Sequence, residues 1–376
     1  MKIIKKSGLF AVVFITLIFT LTTTVLAEDD ADYSKLYSEL LGKSNAEEIT
    51  HALPRDTFNI LKDLGLDLKN PNEGFMPKGE NFFALLWDFL KNGGAAPLKT
   101  CLAIIGILLI FASFDGFLNG EWNNTTIFVC FISSIVATAP IYSVMNSVRS
   151  AIQSISTFML SLVPVYSGIM LSAGQKVAFG GFSTLLLGAS EVVSYLISYL
   201  FVPASGAITC LAICGGISPV AGVLRIGEWI KKCSNYAMGI ATTLFLGILS
   251  LQNTFAVAAD GIGIRASKAM LSSTIPIMGP AIAETIATAK GCLNLLRSGV
   301  GIYAVVAVGI LALPVITELI LWRFSMWISS AVAETFGLKQ VETLLKSIDF
   351  GLSVLLAATC FTAILFIIAL AMTLNS

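Results

Sequence analysis

Charge is scarce in this chain. Lysine, arginine, aspartate and glutamate make up 12% of its 376 residues, about half the share found in ordinary soluble domains. The 23 cations balance 23 acids, and no basic cluster resembles a groove that tracks phosphates, so nucleic acid is excluded as a partner. Histidine occurs once, as His51, with no cysteine or serine motif beside it from which a nucleophile could be built. A Gly-x-x-x-x-Gly-Lys phosphate loop is missing, which excludes nucleotide hydrolysis by the chain itself. No cysteine falls between Glu28 and Thr100, the one sizeable region expected outside the cytoplasm, so no disulfide framework is implied. Cys210 and Cys214 are four apart on an apolar stretch without histidine or carboxylate company, a poor metal site. The chain is therefore expected to be no enzyme and to need neither metal nor cofactor.

Apolar residues take the place of charge. They form 56% of the chain and raise the mean hydropathy to +0.86, the composition of a polytopic membrane protein. The expected fold class is all-α, a helical membrane protein with about six to eight spans. At the start, Lys2, Lys5 and Lys6 precede an apolar run from Leu9 to Leu21 and then Val25-Leu26-Ala27, the layout of a signal peptide over 1–27 cleaved after Ala27. A polar region, 28–97, follows. Tyr33, Leu36, Tyr37, Leu40 and Leu41 fall at helical spacing, Phe58, Leu61 and Leu64 suggest a second helix, and Phe82 to Leu90 a third that stops at Gly93-Gly94. These stripes either lie along the membrane interface or bury one another in a small extracytoplasmic bundle.

Beyond Pro97 the chain repeats itself. Met159-Leu160-Ser161 and Val163-Pro164-Val165 return as Met270-Leu271-Ser272 and Ile275-Pro276-Ile277, Pro203 as Pro314, Ile217-Ser218 as Ile328-Ser329, and Glu228 and Lys232 as Glu342 and Lys346. An offset of about 112 residues divides the membrane part into a first span and turn (98–126), repeat 1 (127–238), repeat 2 (239–350) and a final span (351–376). Runs at 98–118, 126–144, 180–210, 236–257, 298–322 and 351–374 are long enough to cross a bilayer. The proline segments, 155–173 and 268–289, are either re-entrant or two further crossings. Lysine and arginine divide evenly between the two sides of a six-span topology, so orientation rests on the signal peptide, which places the proline segments outside.

Prolines within a membrane helix free backbone carbonyls, which must face protein or a wet cavity. Pro164 and Pro276 are accordingly candidates to line a pore, or else kink helices for packing. Glu191, flanked by Gly188-Ala189-Ser190 and Val192-Val193, is the deepest carboxylate and the best candidate for a pore-facing group, because a charge in lipid costs at least ~2.5 kcal/mol. Asp115 is close to the end of its span, and Glu318 is placed to pair with Arg323. Asp260, Arg265 and Lys268 form a polar patch that either meets lipid headgroups or contacts a partner.

One stretch resembles a known family. Gly247 to Gln252, Ala259-Asp260-Gly261, Ile264-Arg265, Lys268, Ile275-Pro276 and Gly279 closely resemble the stage III sporulation protein AE family of endospore-forming bacteria, and the likeness extends over essentially the whole chain. The resemblance implies a subunit of the channel, or feeding tube, that links mother cell and forespore and sustains late forespore gene expression. It implies as partners the other subunits of the same sporulation operon, a forespore membrane protein, the lipid bilayer and further copies of this chain, with residence in the mother-cell membrane around the engulfed forespore. An ATPase-like subunit encoded alongside would supply energy. The competing expectation is a permease-like subunit moving small solutes between the two repeats, near Pro164, Pro276 and Glu191.

Overall fold

A computed structural model describes residues 49–50, 52–66, 79–115, 122–172, 176–217, 221–274 and 279–375. The signal peptide and the Tyr33 to Leu41 stripe lie outside the described residues, as does Pro276. The described chain is helical. A short helix, α1 (Arg55–Asp63), precedes α2 (Gly79–Asp115), α3 (Trp122–Ser172), α4 (Lys176–Leu196), a five-residue π-type turn (Ile197–Phe201), α5 (Val202–Ile217), α6 (Ala221–Thr274), α7 (Gly279–Thr335) and α8 (Lys339–Asn375). Among the described residues six stretches are long and apolar enough to cross a membrane: Ala84–Ser113, Ile127–Leu171, Ser183–Gly216, Arg225–Gln252, Gly299–Thr335 and Lys339–Ala371.

Continuity is what hydropathy underestimates. The third amphipathic stripe does not stop at Gly93-Gly94: α2 runs through both glycines and Pro97 without a break. The glycines pack instead of capping, since a β-carbon at either would stand 3.9 or 3.8 Å from Leu321 Cδ1 on α7. Likewise α3 passes through Pro140 and Pro164 as one helix of 51 residues, so the segment after Ile155 continues the preceding apolar run. The polar stretches before the fourth and sixth spans are the first turns of α6 and α8. In a medium without water a broken helix strands several carbonyls, whereas a proline inside a continuous helix frees one, that of Leu160 at Pro164 and of Ile310 at Pro314, so continuity costs less than a break. Ser167 and Thr317 donate one turn further on, to the carbonyls of Pro164 and of Leu313 and Pro314. The π-type turn lies just before Pro203, which takes away the donor that the Tyr199 carbonyl would need.

Two helix ends depend on glycine. Gly65 and Gly337 hold φ of +81° and +73°, and the amides of Leu66 and Leu338 donate back to Leu61 and Ala333 at 3.0 Å, the paired closure of a Schellman turn. The second of these reverses α7 into α8. That hairpin is the centre of the fold: the apolar windows of α7 and α8 are each 78% buried by protein, against 17% for α6. Around it, Ser205 on α5 donates to the Gly351 carbonyl at 3.0 Å, and Ser325 on α7 donates to the Pro97 carbonyl of α2 at 2.9 Å. Ile49, Leu53, Leu61, Leu64 and Leu66 bury against the same core, which ties the N-terminal segment to the bundle.

These contacts set axial register. Pro97 is beside Ser325, and one turn on Ser329 reaches the Cys101 sulfur at 3.5 Å, so the apolar run after Pro97 lies alongside the last turns of α7 and beyond its end. The charge-free run 299–317 lies on the other side of Arg323. With 1.5 Å of rise per residue, the centres of these two runs are roughly 40 Å apart along the bundle, comparable to the thickness of a bilayer with its headgroups.

Candidate functional site

The proposed site residues that the structure describes are spread over three helices, α3, α4 and α6. Glu191 is on α4, exposed at the bundle surface beside Val192, Tyr195 and Tyr199. The two tyrosine rings on successive turns approach to 4.8 Å between centroids. One turn from Glu191, Ser194 donates to Ser156 Oγ at 3.0 Å and fixes α4 against α3. Pro164 is exposed on α3, the other arm of that antiparallel hairpin. Both therefore face outward from a single chain rather than into its packed centre. Asp260, Arg265 and Lys268 are on the last third of α6, and their side chains lie outside the described residues, as do both the backbone and the side chain of Pro276.

Charge pairing takes a form that local spacing did not anticipate. Arg323 engages Asp349 rather than Glu318: Nε and Nη2 donate to the two carboxylate oxygens at 2.7 and 3.1 Å, with the side chains only 12% and 17% exposed. Such a fork recognises carboxylate in fixed geometry. Glu318 is half-buried one turn before Trp322, whose buried indole Nε1 has no hydrogen-bond partner. The missed signal is hairpin symmetry, because 323 and 349 are nearly equidistant from the 336–338 reversal. Lys231 joins from α6, its Nζ 4.5 Å from the centre of the Phe350 ring. At the end of α7 and the start of α8, Lys346 pairs with Glu342 one turn back and lies 3.8 Å from Glu334.

Two features could accept a ligand by shape. A groove of about 430 Å³ separates Leu53 and Pro54 from the polar face of α3 made by Ser150, Gln153, Ser154 and Thr157. A shallower one on α6 is lined by Asn235, Tyr236, Gly239 and Thr243. Among the described residues no group of three or more His, Cys, Asp or Glu gathers where a metal could bind. The free thiols Cys101, Cys130 and Cys360 are buried, a setting that disfavours the thiolate.

Comparison with known proteins places the chain by its sequence. The profile of stage III sporulation protein AE matches residues 86–376. Stage III sporulation protein AE of Bacillus subtilis (strain 168) is 23% identical over 368 residues, covering 93% of this chain and 91% of that protein. No solved structure matches. With its membrane portion matched from Leu86 to Ser376, the chain belongs to the stage III sporulation protein AE family.

Proposed function

We propose that this protein is an integral membrane subunit of the channel complex joining mother cell and forespore, and that it acts as scaffold and docking element rather than as a permease. Its place is the mother-cell membrane around the engulfed forespore. Its partners are the other products of its operon and a forespore membrane protein. Family membership supports the sporulation role. The scaffold reading is supported by one observation above all, that α7 and α8 fill the bundle centre with buried apolar side chains, while Glu191 is left on an outer surface available to other subunits.

An outward Glu191 fits this role, because a carboxylate at the surface of a membrane helix is stabilised by a protein or water neighbour and not by acyl chains. Asp260, Arg265 and Lys268 would extend the contact surface at the outer end of α6. The experiment is to introduce Glu191→Gln and Pro276→Ala in sporulating cells, and to follow co-purification of the operon's products together with a late forespore reporter. Loss of co-purification alongside the reporter is expected. Intact assembly with a silent reporter would instead favour a transport path through this subunit.

A further inference from the structure

The start of α6 carries a stripe of alternating cations and aromatics. Arg225, Trp229, Lys232 and Tyr236 follow at four, three and four residues, hence on one helical face, and all are exposed, Trp229 at 71% and Tyr236 at 73%. The same face continues upward as Ile240, Leu244, Ile248 and Leu251, exposed and wholly apolar. A helix face that changes from cation-and-aromatic to aliphatic within one turn marks the edge of the hydrocarbon layer.

Behind the stripe the charges do not cancel. Lys231 turns inward from α6 onto the Phe350 ring and, among the described residues, makes no ion pair within 4.0 Å. The charges that reach it are Asp349, Arg323 and Glu228, and both oxygens of Asp349 are already taken by the Arg323 fork. Glu228 is exposed on the neighbouring face of α6. Where α6, α7 and α8 leave the apolar layer, Arg225, Lys231, Lys232, Arg323, Lys339 and Lys346 stand against Glu228, Glu334, Glu342 and Asp349, and Lys346 and Arg323 already engage three of those acids, which leaves the cations of α6 in excess.

We infer that this corner is a binding site for a phosphate-bearing anion at the membrane surface, with Arg225, Lys231 and Lys232 supplying the charge and Trp229 and Tyr236 flanking the adjoining acyl chain. An anionic phospholipid headgroup and free phosphate share this chemistry. The inference does not depend on the proposed role in the channel complex. It is tested on the full-length protein in uncharged detergent, with affinity measured for short-chain phosphatidylglycerol, short-chain phosphatidylcholine and inorganic phosphate.

The expected result is a clear preference for phosphatidylglycerol over phosphatidylcholine, lost in the Arg225→Gln, Lys231→Gln, Lys232→Gln triple variant and kept in Lys231→Arg, Lys232→Arg. Each neutralised cation should weaken binding about fivefold. Inorganic phosphate that binds as tightly and competes would identify the free anion as the occupant, whereas lack of competition identifies the lipid. Equal affinity for both lipids in the unaltered protein would overturn the site. So would an undiminished preference in a triple variant that keeps its helical circular dichroism. Should that variant misfold, the exposed Lys232→Gln alone is read, and an unchanged affinity there counts against the site.

Discussion

Individual side chains hold this bundle together at a few polar points. The Arg323 and Asp349 fork is mostly buried, and removing one partner leaves the other charge stranded. Asp349→Ala should therefore destabilise the protein by about 3–5 kcal/mol, whereas the double variant with Arg323→Met should recover much of that loss. Thermal unfolding in micelles reads both, and a fully additive pair of losses would show that the two do not interact. At Gly351 two helices touch backbone to backbone: a β-carbon there would meet the Ser205 carbonyl at 3.1 Å and the Ser205 and Thr209 hydroxyls at 3.2 Å. Gly351→Val should cost about 1–3 kcal/mol through overpacking. Ser205→Ala, which removes only a hydroxyl donor, should cost nearer 0.6 kcal/mol. Equal losses for the two variants would mean that space is not what glycine provides there.

At the scale of the helix, the prolines have different consequences. Pro164 is exposed within a continuous α3, so it distorts a helix without ending it. At Pro203 the chain responds with the π-type turn, whose extra residue rotates everything before it by roughly 100° relative to a regular helix. That rotation contributes to the outward placement of Glu191, Tyr195 and Tyr199. Pro203→Ala permits a regular helix, and cysteines substituted at 191 and 195 should then change their reactivity with aqueous and lipid-soluble maleimides. An unchanged labelling pattern would show that packing against α3, through Ser156 and Ser194, holds the face alone. Apolar periodicity made most of these helices legible in advance, including the segment at Phe58 to Leu64. Their lengths were not, because Gly93-Gly94 and the prolines read as breaks in a scale derived from water, where an interrupted helix can hydrate its free carbonyls.

For the whole molecule, six crossings beginning outside return the chain to that side. With each long helix run crossing once, the C-terminal ends of α2, α5 and α7 share one side, and those of α3, α6 and α8 the opposite one. Cysteines placed at 174 and 337 should react with an impermeant maleimide from opposite faces, and a reporter fused after Ser376 should lie away from the cytoplasm. Labelling of 174 and 337 from one face would refute the alternation. The axial offset between the α2–α3 hairpin and the α6–α8 core has a consequence of its own. Ile135 and Leu244 are both exposed, at 56% and 63%, yet belong to apolar layers about one bilayer apart along the bundle. A bundle axis that leans in the membrane brings both layers into one bilayer. Probes at both positions should then be quenched by brominated lipid, and a probe at 135 quenched only from water would exclude the lean.

Sequence alone determined the class of the protein: scarce charge and long apolar runs leave α-helices in lipid as the arrangement that satisfies every backbone group, and the residues around Asp260 carried the family. It bounded the membrane-length segments at six to eight, of which six stand among the described residues, since an apolar run can be counted along the chain. Only the tertiary structure decided which charges meet, which face of α4 bears Glu191, and at what height each helix rests against its neighbours. Those depend on helix rotation and axial register, set by contacts such as Ser205 with Gly351 and Ser325 with Pro97, between residues more than a hundred positions apart. Hydropathy, averaged along the chain, carries no record of them.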